Sequence, residues 1–135
     1  MSFVGNITGF QHLGVPVSNL EASIRFYERL GFRIEDRSEL EESGGVTKVA
    51  FMEMSGFCIE LYQPPEGVPA TRNVGPIDHF AFDVRDIDEA FKELSEAGFS
   101  MIEEAPVALP LRAKGVKYFM VCGPDGERVE FNEIV

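Results

Sequence analysis

The feature that most constrains the fold of this chain is an internal repeat. The segment "QHLGVPVSNLEASIRFYERLGFRI" (11–34) aligns without gaps with "DHFAFDVRDIDEAFKELSEAGFSM" (78–101), at an offset of 67 residues. Identical residues occupy four pairs of equivalent positions: His12 and His79, Val17 and Val84, Gly31 and Gly98, and Phe32 and Phe99. Because self-similarity at a fixed spacing indicates repeated structural units, the chain is expected to build the same unit twice.

Each copy of the repeat predicts a strand followed at once by a helix. The copies open with alternating apolar and small or polar residues, which is the period of a half-buried strand. A capping-box pattern then predicts a helix start, with Ser18 three residues before Glu21 in the first copy and Asp86 three residues before Glu89 in the second. Each helix is expected to end at the glycine that the two copies share.

Three further strands are predicted after each helix. They lie at about 32–40, 46–54 and 57–62 in the first copy and at about 99–104, 116–122 and 127–134 in the second. The fold class is therefore α+β, with two tandem βαβββ modules at about 5–62 and 77–135 and a Pro- and Gly-rich linker at 63–76. We expect one domain over residues 1–135, in which the modules form a curved, half-open β-sheet groove with the helices outside.

Charge and composition exclude several classes of partner. The chain of 135 residues has 23 acidic and 12 basic side chains and a formal net charge of -11, which opposes binding to nucleic acids and to anionic membranes. The sequence has no leader-like segment and no apolar run of about 18 residues, so a cytoplasmic location is expected. The two cysteines, Cys58 and Cys122, are interpreted as free thiols that pack as small hydrophobic residues.

Four residues at repeated positions predict a metal site. Both histidines of the chain, His12 and His79, are equivalent in the repeat, and Glu60 is equivalent to Glu130 at an offset of 70 residues. Strand alternation points all four into the predicted groove, because the apolar neighbours of each glutamate should face the helices. Imidazole and carboxylate ligands suit Zn, Ni, Co, Mn or Fe(II), in a site with positions left open for water or substrate. The alternative is a core role for each histidine and an ordinary ion pair for each glutamate.

The paired modules resemble the vicinal oxygen chelate superfamily, which includes glyoxalase I, bleomycin-resistance proteins and extradiol dioxygenases. The resemblance covers nearly the whole chain and is carried by "HLGVPVSNLEASIRFYERLGF", "IELYQP", "IDHFAFDVRDIDEAFKEL" and "GPDGERVEF". Within the superfamily, His12, Glu60, His79 and Glu130 are most similar to the ligand set of bacterial glyoxalase I (lactoylglutathione lyase). Extradiol dioxygenases and fosfomycin-resistance enzymes typically use two histidines and one glutamate, without the equivalent of Glu60.

The resemblance to glyoxalase I implies a lyase or isomerase acting on a hemithioacetal of a 2-oxoaldehyde and a thiol. One divalent ion would stabilise the enediolate formed when a carbon-bound proton leaves, and Glu130 or Glu60 would take and return that proton, with Glu130 favoured. No nucleotide or organic cofactor is expected. Two positions depart from enterobacterial glyoxalases, because Pro16 replaces an arginine and Pro64 replaces an asparagine. The resemblance therefore does not specify glutathione as the thiol.

Other members of the superfamily supply the alternatives. The opening motif and "KVAFMEMSGFCIELYQP" are equally similar to methylmalonyl-CoA epimerase, which moves a proton next to a thioester. A non-catalytic drug-binding protein and a dioxygenase-like Fe(II) enzyme are the further alternatives. A small-molecule substrate and a homodimer are implied in the enzyme interpretation. The candidate substrate contacts are Arg112, Lys114, Lys117, Tyr62 and Asn132, with solvated surface charge as the alternative for the three basic residues.

Overall fold

The computed structural model describes residues 2–69 and 75–135, and it divides the chain into two compact units, of which the first ends at Pro69. Each unit contains one copy of the sequence repeat. The division falls within the predicted linker 63–76, of which residues 70–74 lie outside the described residues. The arrangement of each unit is considered by itself.

The first unit contains two helices and a four-stranded sheet. Its elements are α1 (Phe3–Asn6), β1 (Leu13–Pro16), α2 (Leu20–Leu30), β2 (Arg33–Glu42), β3 (Gly45–Met54) and β4 (Phe57–Gln63). The strand order is β1-β4-β3-β2, in which β1 is parallel to β4 and the other neighbours are antiparallel. The first and last segments of the module therefore lie side by side.

The second unit repeats this plan. Its elements are β5 (Phe80–Asp83), α3 (Ile87–Glu96), β6 (Ser100–Met101), β7 (Val107–Leu109), β8 (Val116–Cys122) and β9 (Arg128–Ile134). The strand order is β5-β9-β8-β6, with β7 also paired to β8, and β5 is parallel to β9. Within the described residues, nine strands form two open sheets accompanied by three helices, so the predicted α+β class with tandem βαβββ modules is confirmed.

The strand predicted at 99–104 is wrong in its length. β6 ends at Met101, and the backbone N–H of Met120, on the neighbouring strand β8, donates to the carboxylate of Glu103 (2.6 Å). A side-chain oxygen thus takes the place of a backbone acceptor, and the ladder between the two strands stops. Pro106 then supplies no backbone N–H. The short strand β7 was not predicted, because it lies in a loop that is rich in turn-forming residues.

The predicted N-cap of the first helix is wrong by one residue. Asn19, and not Ser18, caps α2, and its side chain accepts a hydrogen bond from the backbone N–H of Ala22 (3.0 Å). Asp86 caps α3 as predicted, through the N–H of Glu89 (3.0 Å). The two caps are equivalent positions of the repeat, so the repeat alignment locates the helix start better than the local capping-box pattern does. Among the described residues, no helix has the length and apolar character needed to cross a membrane.

Each sheet buries one face. In the first unit, Ile24 and Tyr27 of α2 are buried, as are the sheet residues Met52, Ile59 and Leu61. In the second unit the buried residues include Ile87 of α3 and four sheet residues: Phe119, Val121, Val129 and Phe131. Ile59 and Leu61 flank Glu60, and Val129 and Phe131 flank Glu130, so the glutamates lie on the sheet faces away from the helices.

The same strands that carry the glutamates also hold the helix starts. The side-chain oxygen of Gln63 accepts a hydrogen bond from the backbone N–H of Leu20 (2.8 Å), and Glu133 accepts one from the N–H of Ile87 (3.1 Å). Leu20 and Ile87 are almost fully buried, so these N–H groups have little access to water. In each unit, a side-chain hydrogen bond therefore links the last strand of the sheet to the first N–H group of the helix.

Replacing Gln63 with alanine is expected to lower the free energy of unfolding by about 1–3 kcal/mol, because the buried N–H of Leu20 loses its acceptor. Urea denaturation followed by circular dichroism measures the change. Gln63→Glu keeps an acceptor at the start of a helix and is expected to lose much less. Equal stability of Gln63→Ala and wild type would contradict the role of this bond.

Candidate metal centre

The first half of the candidate site is formed by His12 and Glu60. Parallel pairing of β1 with β4 places Gly14 beside Glu60, and alternation along the chain puts His12, two residues earlier, on the same face. Nε2 of His12 lies 3.6 Å from Oε1 of Glu60. A Cβ atom added at Gly14 would lie 3.7 Å from the same carboxylate oxygen, which is an ordinary van der Waals contact.

The second half repeats this geometry with His79 and Glu130. Ala81 is the register partner of Glu130 in the parallel pair β5–β9, and His79 again stands two residues before it. Nε2 of His79 lies 3.4 Å from Oε1 of Glu130. The same backbone arrangement thus gives a His–Glu pair in each unit, with closely similar separations.

Both imidazole rings are oriented by the residue that precedes them. Nδ1 of His12 lies 2.9 Å from Oε1 of Gln11, and Nδ1 of His79 lies 2.7 Å from Oδ2 of Asp78. An amide oxygen and a carboxylate can only accept, so Nδ1 must donate its proton in both units. In the neutral imidazole Nε2 then carries the lone pair, and this lone pair faces the glutamate oxygen.

Two acceptor atoms that face each other at 3.4–3.6 Å do not form a good hydrogen bond. A cation between Nε2 and the carboxylate oxygen would interact favourably with the lone pairs of both atoms. This cation can be a proton bound to the imidazole or a metal ion. Metal–nitrogen and metal–oxygen bonds of about 2.0–2.2 Å at ordinary angles put neighbouring ligand atoms about 3.0–3.4 Å apart. A histidine whose other nitrogen donates to a fixed acceptor is the usual form of a metal-bound histidine. The residue types therefore suit a divalent ion. The 3.4 Å separation in the second unit lies at the upper end of this range, and the 3.6 Å separation in the first unit lies slightly beyond it.

The two glutamates have different surroundings. Glu130 is buried, with 9% of its surface exposed, and its Oε2 accepts a hydrogen bond from the side-chain amide of Asn132 (3.0 Å). The side chain of Glu60 is 28% exposed, and it accepts no hydrogen bond from the part of the chain that the structure describes. The ring of Phe51 packs edge-on against His12 at a centroid distance of 5.5 Å and gives this half an apolar side.

Each unit supplies two of the four predicted ligands. Across residues 2–69 and 75–135, no three His, Cys, Asp or Glu side chains are grouped closely enough to hold a metal ion by themselves. A single ion bound by His12, Glu60, His79 and Glu130 together remains a prediction.

The predicted substrate contacts are differently placed. Tyr62 and Asn132 share strand faces with Glu60 and Glu130, and Asn132 is engaged with the carboxylate. Lys117 is the register partner of Glu133 and forms an ion pair with Asp88 of α3 (3.0 Å), so it lies on the helix-facing side of its sheet and not beside Glu130.

The other two basic candidates lie in an exposed turn between β7 and β8. Arg112 and its neighbour Ala113 have left-handed backbone conformations, with φ of 53° and 54°. The side chains of Arg112 and Lys114 form no ion pair with the described residues. The structure thus brings neither of them into a defined contact.

Gln11 and Asp78, which contact the two imidazole rings, were not predicted from the sequence. The signal was present, because the residue before each histidine is equivalent in the repeat and carries a side-chain acceptor in both copies. Its meaning depends on the ring orientation, which the alternation of a strand does not specify.

Cys58 lies on the same strand face as Glu60 but is not activated. Burial raises the pKa of the Cys58 thiol, and the nearby carboxylates of Glu35, Glu53 and Glu60 raise it further. The thiol, and not the thiolate, is therefore favoured at neutral pH. This favours the interpretation of Cys58 as a lining residue over an auxiliary metal ligand.

Known proteins share the sequence pattern of this chain. A model of the glyoxalase/bleomycin resistance protein/dioxygenase superfamily matches residues 9–131. An uncharacterized protein of Bacillus subtilis, YwbC, is 34% identical over 125 residues, which cover 89% of this chain and 93% of that protein.

Solved structures show the same fold. A glyoxalase family protein from Enterococcus faecalis superposes with a TM-score of 0.77 at 23% identity, covering 93% of this chain and 98% of that one. A variant of glyoxalase I from Zea mays superposes with a TM-score of 0.67 at 19% identity, covering 90% of this chain and 43% of that one. At these identities the likeness concerns the fold alone.

The pH dependence of Cys58 alkylation tests its environment. In a Cys122→Ser background, the reaction of Cys58 with iodoacetamide is expected to reach half its maximal rate above the usual thiol pKa of about 8.5, because burial and the neighbouring carboxylates disfavour the thiolate. Glu53→Gln removes one of these carboxylates and is expected to shift the midpoint towards lower pH. A midpoint below that of a free thiol would instead identify an activated cysteine.

Proposed function

The chain belongs to the glyoxalase/bleomycin resistance protein/dioxygenase superfamily, and from this premise we propose that it is a metal-dependent enzyme that moves a proton between adjacent carbons of a hemithioacetal. The resemblance to this superfamily that the sequence motifs carry is thereby confirmed. The finer assignment, to a glyoxalase I-like lyase or isomerase, is the proposal.

One observation carries the proposal. The His–Glu pair occurs in both units, in the same register of a parallel strand pair, with each imidazole held through Nδ1 and with Nε2 directed at the carboxylate. A structural ion pair has no need of this repeated orientation. A metal ion does need it, because ligand atoms must meet at fixed distances and angles.

In the proposed site His12, Glu60, His79 and Glu130 hold one divalent ion. When bound, the ion would act as a Lewis acid and stabilise negative charge on the vicinal oxygens of the substrate. A glutamate takes the proton from one carbon and returns it to the neighbouring carbon, which requires an oxygen within hydrogen-bonding reach of both. Gln11 and Asp78 keep the histidine rings in place during this transfer.

The identity of the thiol is left open by two prolines. Pro16 is the last residue of β1, two positions after Gly14. Pro64 directly follows β4, the strand that carries Glu60. Neither proline has a side-chain donor with which to hold an anionic thiol such as glutathione. A different thiol, or the acyl thioester of an epimerase-type reaction, uses the same proton transfer, and the substrates in the experiment below distinguish them.

A homodimer belongs to the same proposal. In the first unit β2 is exposed along all ten of its residues and lies at the edge of its sheet. Open edges of this kind are commonly covered by another chain. The ion could then be bound within one chain or by halves from two chains, and light scattering with and without metal tests the assembly.

Metal content and proton exchange test the proposal together. The protein loaded with Ni²⁺, Zn²⁺, Co²⁺ or Mn²⁺ is expected to bind one ion per site and to exchange the carbon-bound proton of a hemithioacetal in heavy water. His12→Ala and His79→Ala are each expected to lose stoichiometric metal, as measured by elemental analysis, and to lose exchange by at least about 100-fold. Glu96→Gln, at the exposed end of α3, serves as the matched control and should behave as wild type.

The other outcomes select the alternatives. Exchange only with a racemisable acyl thioester would identify an epimerase-type enzyme, and consumption of oxygen with a catechol by the Fe(II) form would identify a dioxygenase. Metal-independent binding of a cationic drug without turnover would identify a sequestering protein. Metal content unchanged in both histidine variants would refute the site itself.

A further inference from the structure

The most exposed apolar side chains of the protein lie together in residues 3–10, which we name the opening segment. Phe3, Val4 and Phe10 are 79%, 76% and 75% exposed, and among the described residues no other large apolar side chain is as exposed. Ile7, between them, is 56% exposed. Six of the eight residues precede the part of the chain that matches the superfamily. This surface therefore belongs largely to residues outside the superfamily pattern.

The helix in the opening segment, α1, is a single turn of four residues, and none of the four is buried. Its hydrogen bonds are local: the hydroxyl of Ser2 accepts from the N–H of Gly5 (3.0 Å), and the N–H of Ile7 donates to the carbonyl of Val4 (3.2 Å). An isolated helix shorter than about 12 residues is marginal in water, and a glycine inside it weakens it further. Burial of its apolar side chains against another surface would stabilise so short a helix.

Phe10 attaches the opening segment to the sheet of the first unit. Its ring stacks on that of Phe57 of β4, with a centroid distance of 6.1 Å and ring planes 3° apart. Phe57 in turn packs against the buried ring of Phe32 at 6.4 Å. The apolar side chains of the segment therefore form part of the surface of this unit.

The opening segment carries no charge, although the chain as a whole is strongly charged. Asp, Glu, Lys and Arg make up 26% of the residues, yet the first of them is Glu21. Two copies with a net charge of -11 repel each other, most strongly where their acidic groups meet. In a twofold contact, residues near the axis meet their own counterparts, so a charge there faces a like charge. A charge-free apolar surface avoids this repulsion and is complementary to itself.

The exposed apolar area of the opening segment approaches what a dimer contact requires. Its four large apolar side chains expose on the order of 500 Å². This value lies in the upper part of the range of about 300–600 Å² for the largest apolar patch on a monomer. A specific interface buries about 800 Å² on each partner, most of which these four side chains would supply.

The edge strand β2 is the other surface at which two copies could meet, and its side chains disfavour such a contact. The register of β2 with β3 shifts between Ile34 and Asp36. Charged side chains and irregularities on an edge strand hinder its pairing with another strand. Seven of the ten residues of β2 are charged, namely Arg33, Glu35, Asp36, Arg37, Glu39, Glu41 and Glu42.

We propose that two copies of this chain associate through their opening segments, in a twofold contact that buries the four exposed apolar side chains. This inference rests on the homodimer of the proposed function and assigns its contact surface. The contact is formed by the first unit alone and includes none of the candidate metal ligands.

A charge at Phe3 tests this contact, with the dimer Kd measured by sedimentation velocity over a range of micromolar concentrations. Phe3→Glu and Phe3→Lys are each expected to raise the Kd by at least about 30-fold, because an apolar anchor is lost and like charges meet. An equimolar mixture of the two variants is expected to recover much of the affinity, since opposite charges then meet. Leu40→Glu on β2 and Ile77→Glu in the second unit add the same charge at exposed apolar residues and should keep the wild-type Kd.

Several results would overturn the inference. Dissociation by Leu40→Glu while Phe3→Glu stays dimeric would assign the contact to β2, and a mixture no tighter than the single variants would contradict the twofold contact. A monomeric wild type would also overturn it, whether the opening segment then binds phosphatidylcholine vesicles or, through a lower Tm of Phe3→Glu, proves to be covered by the chain's own second unit.

Two further measurements separate this result from the proposed chemistry. Circular dichroism verifies that each Phe3 variant is folded, as expected from a helix without buried residues. Metal content and proton exchange are measured on the same samples. Their absence in a dimeric wild type would refute the proposed enzyme and leave the contact surface assigned.

Discussion

Each His–Glu pair depends on one structural constraint, the parallel pairing of the first strand of its unit with the last. This pairing sets Gly14 against Glu60 and Ala81 against Glu130, and it thereby brings a histidine two residues upstream to the same face of the sheet. A slip of one residue would turn the glutamate to the helix side, into the buried core. The geometry of each His–Glu pair and the packing of the core therefore depend on the same register.

The register is held from the opposite face of the sheet. Gln63 and Glu133 extend from the same strands as the glutamates but towards the helices, where each accepts the first free N–H of a helix. Caps at Asn19 and Asp86 complete these helix starts. In each unit the residue that binds the helix start lies three positions after the glutamate on the same strand. A local movement of that strand would therefore also break the hydrogen bond at the helix start and expose part of the core.

Much of this was predictable because the repeat and the alternation of strands are properties of backbone geometry. Both follow from residue spacing, so the modules, their helices and the strand faces of the histidines and glutamates could be derived from the sequence. The same rule could have placed Lys117 on the helix side, since it faces Glu133 across the sheet and the alternation already turns Val129 and Phe131 inward. What spacing could not give was side-chain direction within a face. The hydrogen bonds that Gln11 and Asp78 accept from the histidines, and the one that Asn132 donates to Glu130, depend on rotamers.

The short strands show a second limit of sequence reasoning. β6 stops because the carboxylate of Glu103 competes for the N–H of Met120, and a competing side chain leaves no mark in an apolar pattern. The cap at Asn19 is a related case, since Ser18 has the better local motif and Asn19 has the better position in the backbone. Local patterns gave the wrong answer where two polar groups competed to accept a hydrogen bond from the same N–H. The repeat alignment identified the helix cap correctly because it compares equivalent backbone positions in the two copies.

A repeated backbone explains how each unit can carry the same His–Glu pair among different neighbouring side chains. The backbone fixes where each histidine and glutamate stands, and it does so equally in both units. The side chains next to these positions are not fixed by it, so Gln11 can differ from Asp78, and Tyr62 from Asn132, without a change of fold. In the second unit His79 therefore faces a charged acceptor, and Glu130 accepts a hydrogen bond from Asn132 that Glu60 does not receive from Tyr62 within the described residues.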